Sequence, residues 1–165
     1  MRRGVILLGF FSIGAIAWAC GDKLMLVMGA RAGQIKPLHP AAILAFPGQS
    51  ASASVIRGFE SQPAFKKAGH HFQLVEDSKG LDQALKTGKF DVVVADVSNA
   101  SDVSQELTLA ASKPVLLPVA FKASKEEQSA AQKKYHCLLK APSDPENYLA
   151  AIDQAMELKL KGTTR

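Results

Sequence analysis

The chain has 165 residues, 47% of them hydrophobic and 21% charged: enough apolar material for one core and too little length for two ordinary domains. Its formal charge is +5, but Arg2 and Arg3 stand in an N-terminal segment set apart from the rest, and without them 18 basic residues face 15 acidic ones, or +3. That charge is mixed along Lys-Glu and Lys-Asp segments with no basic stripe interleaved with aromatics, so no nucleic-acid partner is expected.

Met1, Arg2 and Arg3 precede an uncharged stretch from Gly4 to Cys20 that ends in small residues. A positive start followed by an apolar run is the pattern of an export segment, assigned here to residues 1–20. Ala17-Trp18-Ala19-Cys20-Gly21 resembles a bacterial lipobox. The resemblance implies lipidation of Cys20, which would become the new N-terminus. It departs from the usual pattern at Ala17, where lipoboxes carry Leu, and at Trp18, where they carry a small residue. Cleavage after Ala19 and retention of the segment as a short anchor stay open beside it. In each case the arginines stay inside and the domain is expected outside the cytoplasm, on the periplasmic or extracellular side. If Cys20 is lipidated, Cys137 is the remaining free thiol, expected as a small buried side chain.

Residues 21–40 read as a tether, broken by Gly21, Gly29, Gly33, Pro37 and Pro40. From Ala41 short apolar runs alternate with segments of helical spacing: AAILAF, FQLVE, FDVVVA, PVLLPVAF and CLLKA. Five such runs separated by helices imply βαβ units, with right-handed crossovers and a parallel sheet covered on both faces. Pro63 should split the first helical segment. Ser78 is expected to cap a helix carrying Leu81, Ala84 and Leu85 and ending at Gly88, and capping boxes are expected at Ser124 with Glu127 and at Ser143 with Glu146. Leu149, Ile152 and Met156 form one core-facing stripe. Pro118 sits inside a strand that should be internal, where it forfeits a ladder hydrogen bond unless a bulge relieves it.

Residues 41–162 are similar to the receiver domain of bacterial response regulators. Two segments carry the likeness. Lys89-Phe90-Asp91-Val92-Val93-Val94-Ala95-Asp96 resembles the third receiver strand, whose final Asp accepts a phosphoryl group, and Lys140-Ala141-Pro142 with SDPENYLAAI resembles the stretch at the fifth strand. The resemblance implies a doubly wound five-stranded parallel sheet of order 2-1-3-4-5. It also implies a surface for a protein partner or homodimer on the last two helices. The departures concern the chemistry. The first strand ends Ala45-Phe46-Pro47-Gly48-Gln49 without the carboxylates that help hold Mg²⁺, Val119 stands where a hydroxyl belongs, and Cys137 where the switch aromatic belongs.

In such a sheet, ligands bind beyond the carboxyl ends of the strands. Asp96 and Lys140 are expected to converge there as a crevice pair, read first as a structural ion pair. The loop Pro47 to Ser54 leads into a helix, so Gly48, Ser50, Ser52 and Ser54 form a candidate anion loop, against the simpler reading of a turn with a serine cap. His70 and His71 are adjacent in a strand and should point to opposite faces. No zinc-type Cys/His spacing and no nucleophile elbow is present, so no metal, cofactor or catalytic residue is expected. The reading at this point is a non-catalytic exported lipoprotein carrying a degenerate receiver-like interaction or sensing domain. The alternative is a periplasmic small-anion-binding domain.

Overall fold

A computed structural model of the chain describes residues 39–163. The export segment with Cys20, and the tether up to residue 38, lie outside the described residues. The elements are β1 (Ala42–Phe46), α1 (Ala53–Gly58), α2 (Pro63–Lys67), β2 (His71–Leu74), α3 (Ser78–Thr87) and β3 (Val92–Asp96), then α4 (Ala100–Leu107), β4 (Val115–Phe121), α5 (Lys125–Lys134), β5 (Leu139–Ala141) and α6 (Pro145–Thr163). The five strands pair in parallel, as the alternation of apolar runs and helices implies, in the order β2-β1-β3-β4-β5 that the receiver resemblance implies.

The two-residue period of each strand sorts its side chains between two cores. Ile43, Val92, Val94, Leu117, Leu139 and Ala141 face α1, α2 and α6, packing with Ile56, Phe59, Phe65 and Ile152. Leu44, Phe46, Val93 and Ala95 face the other way, onto Leu81 and Leu85 of α3 and Val103 and Leu107 of α4. All five residues of β3 are buried, which is why that run reads as continuous rather than alternating hydrophobicity. Pro63 opens α2 and so divides the first helical segment in two. The break lets Phe59 and Phe65 meet edge to face, centroids 5.5 Å apart, while Tyr148 of α6 packs against Phe59 with its ring tilted by 55° and centroids 5.1 Å apart. Leu149, Ile152 and Met156 are all buried.

Three sequence expectations need correction. The cap of α3 is Asp77, whose Oδ1 accepts from the Gly80 amide at 2.7 Å, so Ser78 is the first helical residue. The Ser124–Glu127 box forms in both directions, but the one expected at Ser143 and Glu146 gives way to a different arrangement. The amides of Asn147 and Tyr148 bond the Asp144 carbonyl, so the third helical position falls on Asn147, while the Ser143 amide donates to the Tyr148 hydroxyl at 2.8 Å. Pro118 needs no bulge. The Val115 amide donates to Asp91 on the β3 side and the Lys122 amide to Ala141 on the β5 side, so alternation turns Pro118 toward β5. Pairing with β5 begins only at Val119 opposite Leu139, hence the proline nitrogen lies before the first rung of that ladder.

Among the described residues no helix is long and apolar enough to cross a membrane, and no group of three or more His, Cys, Asp or Glu residues could hold a metal ion.

Candidate functional site

The loops that follow β1 and β3 meet at the carboxyl edge of the sheet. Gly48 makes this approach possible: it adopts φ +53°, and a Cβ there would stand 2.7 Å from the Asn99 side-chain nitrogen. Ser50 Oγ donates to the Pro47 carbonyl at 2.7 Å and lies 3.2 Å from Ser52 Oγ, closing the turn that opens α1. Ser52 is fully buried, whereas Ser54 is exposed on the outer side of the helix. The four loop positions therefore do not converge on one space.

Beneath this turn lies Asp96, the last residue of β3, only 8% exposed. Its Oδ1 accepts from the Ser98 amide at 2.8 Å and the Ser98 hydroxyl at 2.7 Å, a local turn of the kind Asp favours after a strand. Ser52 supports the same carboxylate with its side chain and its backbone. Burial is the largest single influence and by itself raises the carboxyl, but the serine hydrogen bonds together outweigh it and hold Asp96 below the usual carboxylate range. The loop read as a candidate cradle for a bound anion thus serves an anion of the protein itself. An external anion there would compete with Asp96 for the same donors against its negative charge.

Lys140 does not join this site. Leu139 and Ala141 share the face of Val119 and Asp96, so Lys140, between them, projects from the opposite face and is exposed. The expected Asp96–Lys140 ion pair is therefore absent, and Leu139 and Ala141 are the β5 residues on the Asp96 side. Val119 is fully buried beside Asp96 in register. Cys137 is buried, with its Sγ 3.4 Å from the Leu116 carbonyl, to which it donates. His70 and His71 do diverge: His71 is exposed, while His70 is buried and accepts the Ala41 amide on Nδ1 at 3.2 Å. Burial, and then the charge of His71, push His70 below its ordinary value.

Two features escaped the sequence reading. Ser98 follows Asp96 at the two-residue spacing of an Asx turn, a signal that was present. Lys159 of α6 bonds Asp91 Oδ1 at 2.6 Å and the Phe90 carbonyl at 3.1 Å, while Asp91 Oδ2 accepts the Ala42 amide, tying α6 to the starts of β1 and β3. No local pattern announces that contact, since 68 residues separate the pair. A cavity of about 590 Å³ lies away from Asp96, at the strand-entry end between α4 and the turn before β5, where Ser104, Leu116, Tyr135 and Leu158 line a shallow groove. It exists because β5 is shorter than β4.

No family model and no curated protein matches the sequence. Among solved structures, NtrX from Brucella abortus, crystallised in complex with ATP, superimposes with a TM-score of 0.61 at 13% identity over 76% of this chain. The match spans 28% of NtrX, so this chain corresponds to little more than a quarter of that protein. The signal receiver domain of a putative LuxO repressor protein from Vibrio parahaemolyticus superimposes with a TM-score of 0.55 at 12% identity, over 76% of this chain and 97% of that one. At such identities the likeness concerns architecture alone, and with the observed strand order it shows that residues 39–163 adopt a receiver-like fold of the flavodoxin type.

Proposed function

We propose that this chain is an exported, membrane-tethered protein whose receiver-like domain is a non-catalytic interaction or sensing module. The observation that carries this reading is the use of Asp96 by the fold. A carboxylate already engaged by Ser98 and Ser52, with no second acid at the end of β1 and no lysine on its face of β5, lacks the neighbours that metal-assisted phosphoryl transfer requires. The export pattern in residues 1–20, with Cys20 as the lipid acceptor, supports placement at a membrane surface. The partner surface assigned to this module is formed by α5, β5 and α6. Only Ala131 of α5 is buried, so nearly the whole helix is open to another chain.

Native mass spectrometry of the protein extracted gently from its own membrane tests the reading. A retained protein chain is the result expected of an interaction module, and a retained small molecule that of a sensor. A bare chain that turns over a phosphoryl donor contradicts both.

A further inference from the structure

Mixed along the sequence, exposed lysines gather in space at one end of the domain. Because all five strands are parallel, every segment that enters a strand lies at one end of the domain. Each of those leading into β2 to β5 carries exposed lysine: Lys66 and Lys67 before β2, Lys89 before β3, Lys113 before β4, Lys133 and Lys134 before β5. Among the described residues no carboxylate pairs with any of the six. Asp91 and Glu157, at the same end, are taken by Lys159 and Lys161, and Glu106 is half-buried and faces Asp82 and Asp102. The opposite end mixes both signs, with Glu126, Glu127, Asp144 and Glu146 in helix starts beside exposed Lys79, Lys122, Lys125 and Lys140.

A helix macrodipole accounts for lysines in the last turns of α2 and α5. It does not account for Lys89 or Lys113, which lie past the ends of their helices, nor for Lys113 adopting φ +45°, a left-handed backbone better suited to glycine or asparagine. Nor does it explain a second feature of this end. The two large apolar side chains exposed among the described residues, Leu109 at 88% and Leu160 at 48%, are both here, in the turn before β4 and near the end of α6. The chain also enters β1 here, through His39 and Pro40.

We infer that the strand-entry end of the domain docks onto an anionic lipid surface, its lysines on the headgroups and Leu109 and Leu160 in the interfacial layer. Lysine and isolated leucine together match the two requirements of a reversible interfacial contact, charge attraction and burial of apolar area. The entry point of the chain orients this end toward the membrane, a part of the argument that rests on the tethering proposed above. Docking leaves the α5, β5 and α6 surface directed sideways, where a partner can reach it.

The test uses the full chain with vesicles of phosphatidylcholine alone and with vesicles that also contain phosphatidylglycerol, read by flotation and by amide hydrogen exchange. Flotation with both types, with exchange slowed around Lys89, Lys113 and Lys134 only where phosphatidylglycerol is present, is the expected result. Flotation with both and no composition-dependent protection overturns docking while leaving the tether intact. Flotation with the anionic vesicles alone overturns the tether and upholds docking, and failure to float with either overturns both. Lys113→Asn and Leu109→Gln alter exposed side chains and should leave thermal unfolding almost unchanged. The lysine variant should weaken a tether-independent contact about five-fold, and added salt should weaken it further by screening. Unchanged protection in both variants also overturns the assignment.

Discussion

Asp96 shows how a residue can keep its place in a fold while its environment redirects its chemistry. Its ionised form is stabilised by hydrogen bonds that the unfolded chain lacks, so its folded pKa lies below the reference value of 3.8. The resulting contribution to stability is complete above that reference and is lost as pH falls through the lower folded value. Asp96→Asn should flatten that acid limb in a series of melts below about pH 4, and Asp96→Ala should cost about 1–3 kcal/mol by leaving the serine donors without their acceptor. His70 acts in a higher window. Its imidazole is held below 6.5 by burial and by His71, so its contribution is complete above that value and declines as pH falls below it. His70→Gln should remove this part of the pH profile and leave the acid limb in place. Asp96 was legible in the sequence as the end of an apolar strand. Lys140 falls outside the site because the strand's two-residue period sets it between buried Leu139 and Ala141 and therefore on the other face, a register that nearness to Pro142 does not reveal.

At the scale of elements, strand and helix order followed from the spacing of apolar runs, since each run had to be buried against the next. Helix starts were less legible because adjacent residues compete to cap: Asp77 precedes Ser78 and Asp144 follows Ser143, and each aspartate takes the cap position. Pro118 was opaque for another reason, because where β5 begins depends on tertiary pairing that no local signal records. Its position before the first β5 rung makes a specific expectation. Pro118→Ala should change stability by no more than about 1 kcal/mol, an unfolded-state effect, while Leu117→Ala next to it, fully buried, should cost about 2–5 kcal/mol. Denaturant titrations of the two variants compare them directly. A large loss in the proline variant would mean that Pro118 contributes packing or backbone restraint beyond the ladder.

Over the whole molecule, parallel topology decides which loops share an end. The carboxyl ends of the strands hold the buried Asp96 beneath its serines, and the entry ends gather six exposed lysines without a carboxylate partner among the described residues, together with Leu109 and Leu160. That division could not be read along the chain, where acidic and basic residues alternate, because it depends on which loops the sheet gathers together. The proposed export and lipidation belong to this scale as well: intact mass of the membrane form should show a modified Cys20 at the N-terminus, and an unmodified cysteine would remove the lipid from the reading. The central claim, that the fold itself uses the carboxylate at the end of β3, is tested most directly by nuclear magnetic resonance of the intact protein with Mg²⁺ and beryllofluoride. The amides of Ser52 and Ser98 are expected to stay where they are across the titration. Saturable shifts at those two amides would show that Asp96 can release its serines to a metal and a phosphoryl mimic, and would contradict the non-catalytic reading.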